Sequence, residues 1–184
     1  MRSGWWKRFA VPGAALLALA ACGPSAPPET NEPPHDYTLY LVRHAEKTSA
    51  ASDPELSDAG LERADLLVSV LEDKGVEAIW STDYRRTQAT AAPLAEHLEI
   101  DVRLYDPSDL DAFAEKLQAL GETALVVGHS NTTPELAGAL GGDGGEPIVE
   151  ATEYDRLYVI TGLAAGTVVT DIQRFGARHD GGSE

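Results

Sequence analysis

The sequence predicts a three-layer α/β/α sandwich around a mostly parallel sheet. Apolar, strand-like runs alternate with amphipathic, helix-like runs between residues 37 and 176, and this alternation is typical of a parallel sheet with helices on both faces. The chain has 184 residues, which is enough for one domain with a hydrophobic core. We expect ligands to bind beyond the carboxyl ends of the strands, as is usual in this class.

The predicted strands are short and rich in β-branched and aromatic residues. They are expected at 37–42, 76–80, 100–104, 124–127, 157–161 and 168–175. The first, YTLYLV, is apolar throughout and fits a strand buried on both faces. The last two runs are expected to form a closing hairpin.

The predicted helices have recognisable ends. They are expected at 57–74, 83–98, 109–120 and 134–140. Ser57 can cap the first helix and Gly75 can end it. Pro93 is expected to bend or break the second helix, whereas Pro134 suits the first turn of the last. The apolar face of the first helix is expected to contain Leu61, Ala64, Leu67, Val68 and Leu71.

Residues 1–21 have the pattern of a secretory signal, with a basic start and an apolar stretch that ends in small residues. The apolar stretch is too short for a permanent membrane span, which needs about 20 residues. The only cysteine, Cys22, closes the sequence LAAC, which resembles a bacterial lipobox. That resemblance implies a lipid on Cys22, and Gly23 favours the outer membrane, on the periplasmic side. An ordinary signal peptide with an incidental cysteine is the alternative.

The segments around the domain are polar. Residues 22–36 are rich in proline and are expected to be a flexible tether, residues 37–176 form the domain, and residues 177–184 are a flexible tail. His35 and His179 lie in these end segments and are expected to be solvated.

The charge of the chain excludes nucleic-acid binding. It carries 14 basic and 30 acidic residues, net −16. The signal holds three of the basic residues and no acidic one, which leaves 11 against 30, or −19, after cleavage. Binding to nucleic acid relies on Lys and Arg, and anionic membrane surfaces also repel such a domain. We therefore expect contact with the membrane only through the lipid, and a phosphate site only as a local positive pocket.

Histidines and arginines follow three of the predicted strands. Arg43 and His44 come directly after the first strand, and His129 follows the fourth. Arg85 and Arg86 lie just beyond the second strand. Because the carboxyl ends of parallel strands meet at one edge, these side chains are expected to converge there.

Three motifs in this order, LVRHAEK, STDYRRTQATA and VVGHSNT, resemble those of the histidine phosphatase superfamily, also called phosphoglycerate mutase-like. The resemblance covers roughly residues 37–175 and is closest to the small, insert-free branch. It implies a phosphoglycerate mutase-like fold. It also implies that His44 is the nucleophile that takes the phosphoryl group, that Arg43 and Arg86 bind phosphate, and that His129 contacts the transferred group.

Further site residues are less strongly indicated. Ser130 and Asn131 are expected to donate hydrogen bonds to the substrate. Glu46 is a candidate substrate-binding or acidic residue, or else the salt-bridge partner of Lys47 or Arg43. Arg85 and His97 are expected at the surface.

The proposed roles agree with the chemistry of phosphoryl transfer. Its transition state spreads charge over three oxygens, which positioned cations stabilise, and the arginine fork matches a phosphate. Nearby arginines also keep a histidine neutral and nucleophilic. If His129 is protonated, it adds a third positive donor.

The general acid is not evident in the sequence. Larger family members carry it in an insert that this chain lacks. Four carboxyl groups are candidates: Asp106, Glu46, Glu153 and Asp155. The missing insert favours substrates with good leaving groups, such as phosphoramidates, acyl phosphates or aryl phosphates.

No cofactor or metal is expected. Residues 141–145 are glycine-rich but lack the Lys and Ser/Thr of a phosphate-binding P-loop. The acidic residues Glu150, Glu153 and Asp155 lack EF-hand spacing, and no Cys/His pattern suits zinc.

These patterns predict a phosphatase that hydrolyses phosphate monoesters or phosphoramidates through a phosphohistidine intermediate. Its substrate is expected to be a small phosphorylated molecule or a phosphoprotein. The alternatives are a phosphoglycerate mutase-type phosphoryl transfer and a catalytically silent lipoprotein that binds phosphorylated ligands. The oligomeric state stays open.

Overall fold

The computed structural model describes residues 36–178. The predicted signal, Cys22, most of the predicted tether, His35, His179 and most of the predicted tail lie outside the described residues. No helix among residues 36–178 is long and apolar enough to cross a membrane.

Six strands form one mixed sheet. They are β1 (Leu39–Arg43), β2 (Ala78–Ser81), β3 (Val102–Leu104), β4 (Ala124–Gly128), β5 (Arg156–Thr161) and β6 (Val169–Arg174). Their spatial order is β3-β2-β4-β1-β5-β6. The first four strands in this order pair in parallel, whereas β5 pairs antiparallel with both β1 and β6. The predicted mostly parallel sheet and the predicted closing hairpin are both confirmed.

Four helices cover the sheet: α1 (Asp58–Leu71), α2 (Arg85–Leu98), α3 (Leu110–Leu120) and α4 (Thr132–Ala139). The buried residues of α1 and α2 pack into one hydrophobic core and those of α3 and α4 into another. The side chains of β1 alternate between the two cores, with Leu39 and Leu41 in one and Tyr40 and Val42 in the other. The protein is therefore a three-layer α/β/α sandwich, as predicted.

The register of β1 on β4 positions the site. Arg43 is the Cα partner of Gly128 at the ends of the two strands, so the residues that follow them emerge side by side. All five residues of β1 are buried, which fits the apolar run read from the sequence. The nucleophile predicted by resemblance therefore stands beside the second histidine at one sheet edge.

The helices differ from the predictions in their bounds, in the effect of a proline and in one buried face. The first helix ends at Leu71 rather than at 74, and the last begins at Thr132 rather than at 134. Pro93 lies inside α2 without ending it, because the buried residues around it hold both halves in the core. Leu61 is 51% exposed, since Gly60 and Arg63 occupy the buried face of α1 instead.

Candidate active site

A cavity of about 420 Å³ opens at the carboxyl edge of the parallel strands. It is lined by His44, Lys47, Tyr84, Arg86, Pro107, Ser108, His129, Ser130, Asn131, Thr132 and Glu150. The cavity therefore collects residues from the ends of β1 and β4, from the start of α2 and from two loops. Five of the residues that the sequence predicts to act in catalysis or binding line the cavity: His44, Arg86, His129, Ser130 and Asn131.

The backbone holds His44 in one orientation. Its N–H donates to the carbonyl of Gly128 at 2.9 Å, which continues the β1–β4 ladder. Its Nδ1 lies 2.7 Å from the carbonyl oxygen of Ala45. Because a carbonyl only accepts, Nδ1 carries the proton and Nε2 of the neutral ring keeps its lone pair. His44 is 3% exposed, so a ring nitrogen with a free lone pair is held in the cavity wall.

Arg43 is a buried cation behind the histidine. It is 2% exposed, and its Nη1 donates to the carbonyl of Glu153 at 2.9 Å. Its guanidinium carbon lies 4.0 Å from the ring centroid of Tyr154, a cation–π contact. Its Nε has no hydrogen-bond partner among residues 36–178. A buried donor without a partner is costly, and an anion bound there would satisfy it.

Arg86 holds a second buried donor at the cavity. Its Nη1 donates to the carbonyl of Ser52 at 3.1 Å and lies 3.6 Å from Oδ1 of Asp53. Its Nη2 lies 3.3 Å from Nδ1 of His129, and its Nε is buried without a partner in the described part of the chain. Arg85 instead pairs with Glu55 at the surface. The expectation that Arg86, not Arg85, reaches the site agrees with this placement.

His129 is oriented through hydroxyl groups. Its Nε2 lies 3.0 Å from Oγ1 of Thr82, which lies 2.9 Å from Oγ1 of Thr87. Because Arg86 donates to Nδ1, the neutral ring carries its proton on Nε2 and donates to Thr82. The rings of His44 and His129 are 5.6 Å apart between centroids, so both face the same space.

Burial and positive neighbours keep both histidines neutral. Burial lowers the pKa of His44 to about 3, with further lowering by Arg43 and Arg86, against a raising effect of the Ala45 carbonyl. Burial, followed by Arg86 and Arg43, lowers the pKa of His129 to about 4. His44 is therefore ready to attack near neutral pH.

The neutral state of His129 corrects one expectation. The sequence left open a protonated His129 as a third positive donor, but a pKa of about 4 leaves the ring uncharged at neutral pH. Positive charge in the cavity wall is instead supplied by Arg86 and Lys47, while Arg43 is buried and does not line the cavity. Lys47 itself contributes to lowering the pKa of His129.

The start of α4 adds polar groups to the cavity wall. Ser130 and Asn131 line the cavity, as does Thr132 at the first position of the helix. The Thr132 hydroxyl accepts from the His129 N–H at 3.0 Å. A helix start presents N–H groups toward a bound anion. The expected donor role of Ser130 and Asn131 is compatible with this position.

The sequence predicts that Glu46 binds substrate, acts as an acid or pairs with Lys47 or Arg43, but the structure pairs it with Arg63 instead. Its carboxylate makes a bidentate pair with the guanidinium of Arg63 on α1, with distances of 2.7 to 3.0 Å. Both residues are buried, and Glu46 does not line the cavity. The glutamate therefore fixes α1 against the segment after β1, and the alternative in which it binds substrate is not supported.

The other three acid candidates are also unsuited to donate a proton in the cavity. Asp106 is exposed, and hydrogen bonds from Ser108 lower the pKa of its carboxyl. Burial raises the pKa of Glu153, but hydrogen bonds from Arg156, Val149 and Arg174 outweigh burial and bring it to about 2. The carboxylate of Asp155 pairs with Arg174 at 2.7 Å. None of these three carboxylates lines the cavity.

Six cavity residues were not singled out for the site from the sequence: Lys47, Tyr84, Pro107, Ser108, Thr132 and Glu150. Lys47 stands within the motif LVRHAEK, so its nearness to His44 was a usable signal. Tyr84 lies 5.1 Å from His129 between ring centroids and its ring contacts the Arg86 guanidinium at 4.4 Å. Glu150 comes from a long loop without periodicity, where sequence gives no direction.

The described residues contain no cluster of three or more His, Cys, Asp or Glu side chains that could hold a metal ion. The glycine-rich segment 141–145 forms a turn in which Asp143 accepts from the Gly145 N–H at 2.8 Å. It does not line the cavity.

Comparison with known proteins agrees with this geometry. Residues 39–107 match the model of the histidine phosphatase superfamily (branch 1). Phosphoserine phosphatase 1 of Hydrogenobacter thermophilus is 35% identical over 71 residues, which cover 35% of this chain and 34% of that protein. The chain thus matches about a third of the length of this curated relative. The family match covers the segment that contains Arg43, His44 and Arg86.

Solved structures share the fold. A SixA structure from Nakamurella multipartitia has a TM-score of 0.58 at 22% identity, covering 79% of this chain and 100% of that chain. The protein histidine phosphatase SixA complexed with tungstate has a TM-score of 0.60 at 19% identity, covering 74% and 96%. A phosphoserine phosphatase from Entamoeba histolytica has a TM-score of 0.56 at 15% identity, covering 78% and 98%.

Proposed function

We propose that the protein is a phosphatase that hydrolyses phosphate monoesters or phosphoramidates through a phosphohistidine on His44. The observation that carries this proposal is the orientation of His44. Its Nδ1 is bonded to the Ala45 carbonyl, so Nε2 is free, and two arginines with unpartnered buried Nε atoms stand nearby within the described residues. A neutral nucleophile beside two cations is what attack on a phosphoryl group requires.

The first step transfers the phosphoryl group to the enzyme. The lone pair of His44 Nε2 attacks phosphorus and forms a P–N bond while the bond to the leaving group breaks. The leaving group departs with the bonding electrons and takes a proton from solvent. The imidazole then carries a positive charge, which the Nδ1–H bond to Ala45 stabilises. Arg43 and Arg86 balance the negative charge of the transferred oxygens.

The second step returns the histidine to its neutral form. Water attacks phosphorus, a P–O bond forms, and the P–N bond breaks with its electrons returning to Nε2. Inorganic phosphate leaves, and a proton of the attacking water passes to solvent. The ring of His129 faces that of His44 and borders the space that the transferred group occupies in both steps.

Glu150 lines the cavity, but the hydrogen bond from Lys47 lowers the pKa of its carboxyl, which makes it a poor proton donor. None of the four predicted acid candidates lines the cavity, so a leaving group that needs little protonation is favoured. The relatives carry names that point to phosphohistidine, as in SixA, and to phosphoserine. Among substrates that differ in leaving group, aryl phosphates and phosphoramidates should therefore react faster than alkyl phosphates.

The test uses p-nitrophenyl phosphate and two matched histidine variants. We expect wild type to turn over, His44→Ala to lose at least about a thousandfold in kcat/KM, and His97→Ala to keep its rate. His97 is a surface residue that pairs with Glu72 at the C-terminal end of α1. Its replacement therefore shows the effect of removing a histidine outside the cavity. Acid-labile phosphate trapped on wild type but absent from His44→Ala identifies the intermediate. A folded wild type without turnover that still binds phosphate would support the silent alternative.

We also propose that the chain is exported as a lipoprotein anchored through Cys22 and belongs to the insert-free branch of the family. The support for export is the basic start, the apolar run and the LAAC sequence. The support for the insert-free branch is the short connection from α2, which ends at Leu98, to β3, which begins at Val102. Expression in a bacterium with labelled palmitate tests the anchor. Label on wild type and none on Cys22→Ala is expected, and label on both variants would contradict the anchor.

A further inference from the structure

One buried hydroxyl joins the segment that carries His44 to the helix that carries Arg86. Oγ1 of Thr90 accepts the Ala45 N–H at 2.9 Å and donates to the Arg86 carbonyl at 2.8 Å. Thr90 lies in α2 and is 2% exposed. A single oxygen atom therefore fixes the spacing between the residue after His44 and the first turn of α2.

The bond to the Arg86 carbonyl alone would be ordinary. A threonine inside a helix often donates to the carbonyl four residues before it, and this bond uses only the proton of the hydroxyl. The lone pairs of Thr90 Oγ1 remain available to accept a bond, and the N–H that they accept belongs to a residue 45 positions away in the sequence. The contact therefore fixes tertiary structure and not only the helix.

The position of Ala45 matters because its carbonyl orients the His44 ring. The carbonyl oxygen lies 2.7 Å from Nδ1 of His44, which leaves the lone pair on Nε2. The His44 N–H is held by the Gly128 carbonyl, and the Ala45 N–H is held by Thr90. Without the hydroxyl, the peptide unit between His44 and Ala45 loses this bond and can rotate, which displaces both the ring and the carbonyl that orients it.

The other threonine of α2 is bonded toward the second histidine. Thr87 is fully buried, and its Oγ1 lies 2.9 Å from Oγ1 of Thr82, which contacts His129. The two threonines are three residues apart and lie on one face of the helix. Helix α2 therefore carries Arg86 and contacts the segments of both histidines through hydroxyl groups.

We propose that Thr90 is a positioning residue, which sets the place of the His44 ring relative to the Arg86 guanidinium. This inference rests on the proposed function, in which Nε2 of His44 attacks a phosphoryl group that Arg86 binds. Core packing of Leu94 and Ala95 holds α2 in place, so loss of the hydroxyl displaces the His44 segment but not the helix. Attack then slows, because a displacement of about 1 Å can lower a rate about a hundredfold, whereas phosphate binding changes little.

The experiment measures turnover of p-nitrophenyl phosphate by two variants of Thr90. Thr90→Val has the branched shape of threonine without the hydroxyl, and we expect its kcat to fall about tenfold, which corresponds to one hydrogen bond. Its inhibition constant for inorganic phosphate should change less than about twofold, because the phosphate ligands stay in place. Thr90→Ser keeps the hydroxyl and should retain kcat within about threefold of wild type.

Thr123→Val is the matched control. The hydroxyl of Thr123 accepts the Thr38 N–H at 3.3 Å, so this variant also removes a bond from a threonine to the backbone, but next to the opposite end of β1. Thr123 does not line the cavity, and kcat should change less than about twofold. Thermal unfolding verifies that each variant is folded in the assay. If Thr90→Val does not fold, Thr90→Ala, which places no methyl group against the Ala45 N–H, is measured with the same expectations.

Nitrogen NMR of the His44 ring separates positioning from stability. Its signals are assigned by their absence from His44→Ala. Wild type should show a protonated Nδ1 and an unprotonated Nε2, whereas Thr90→Val should show a mixture of the two neutral tautomers, because the Ala45 carbonyl no longer holds the proton on Nδ1. A role in stability alone would leave the tautomer of the folded protein unchanged.

Three results would overturn the proposal. The first is a kcat of the hydroxyl-free variant within about twofold of wild type, the second is an equal loss in Thr90→Ser, and the third is the same His44 tautomer with and without the hydroxyl. In each case His44-dependent turnover would continue, so the proposed function would stand. A folded wild type without turnover would instead contradict the proposed function, and the NMR comparison would still test how Thr90 holds the His44 ring.

Discussion

Nη2 of Arg86 lies 3.3 Å from Nδ1 of His129, which makes the arginine an orienting group for the second histidine of the cavity. On the other side of the ring, Nε2 lies 3.0 Å from Oγ1 of Thr82. Both nitrogens of His129 are therefore held by hydrogen bonds before substrate arrives. The tautomer follows from the arginine, because a guanidinium donates and does not accept.

Thr82→Val is expected to lower kcat/KM about tenfold, which corresponds to one hydrogen bond of about 1.4 kcal/mol. The hydroxyl of Thr82 is fully buried, so valine leaves Nε2–H of His129 without a partner. Steady-state kinetics on an aryl phosphate measures the loss. Thr170→Val, on the outer hairpin, is the control. Equal rates in the two variants would contradict the orienting role of Thr82.

Arg86→Lys is expected to lower kcat/KM about a hundredfold, although the charge is kept. Lysine lacks the planar fork that can reach Ser52, His129 and an anion at once. Arg85→Lys is a matched control one residue away, at the surface, and should change kcat/KM less than about twofold. A similar loss in both variants would show that the start of α2, rather than the Arg86 fork, matters.

The free energy of unfolding is expected to fall as the pH falls from about 6.5 to 4.5. His44 and His129 titrate near 6.5 when unfolded but at about 3 and about 4 in the native protein. The unfolded chain therefore binds more protons in this window, so acid favours unfolding, by at most about 1.4 kcal/mol per pH unit and histidine. The low pKa of Glu153 contributes only below about 4.5.

Urea unfolding at pH 7, 6 and 5 measures this dependence. His44→Gln removes one of the two titrating groups, and its free energy of unfolding should depend less steeply on pH than that of wild type. His97→Gln, with an exposed side chain, is the control and should keep the wild-type slope. A wild-type free energy of unfolding that stays level across this window would mean that the two rings are not held neutral.

Arg63→Met is expected to destabilise the fold by about 3–5 kcal/mol, since it leaves the buried Glu46 carboxylate without its partner. Adding Glu46→Gln should recover part of the loss by removing the uncompensated charge. Urea unfolding measures both. Kinetics below the unfolding range should show little change in KM for Arg63→Met. A raised KM without loss of stability would contradict this structural role and indicate that Glu46 acts in substrate binding.

The fold could be predicted because its signals are local. The run at 37–42 is apolar and is followed at once by charged residues, so the strand end at Arg43 was placed within one residue. Gly121 ends α3 in a left-handed conformation, as a C-terminal glycine does. The prediction that Pro93 bends or breaks the second helix rests on its missing N–H. The helix continues through it, because the core packing of its neighbours is not visible in the sequence.

The site could be predicted only where it adjoins a strand. Arg43, His44 and His129 follow buried strands directly, so the sheet fixes where they stand. Glu46 lies only two residues after His44, yet its position depends on the ion pair with Arg63 in α1. No local sequence pattern indicates that an arginine is buried. Glu150 lies on an irregular loop, in which the N–H of Val149 donates to the carboxylate of Glu153. A contact of this kind has no signature in the sequence.

The strand order β3-β2-β4-β1-β5-β6 has a consequence for synthesis of the chain. The strand that precedes His44 is made first but lies between two strands that are made much later. A nascent domain that has emerged only as far as α3 contains His44 but lacks β4 and β5, so the cavity is incomplete. The cavity can therefore form only after nearly the whole domain has left the ribosome and closed around its first strand.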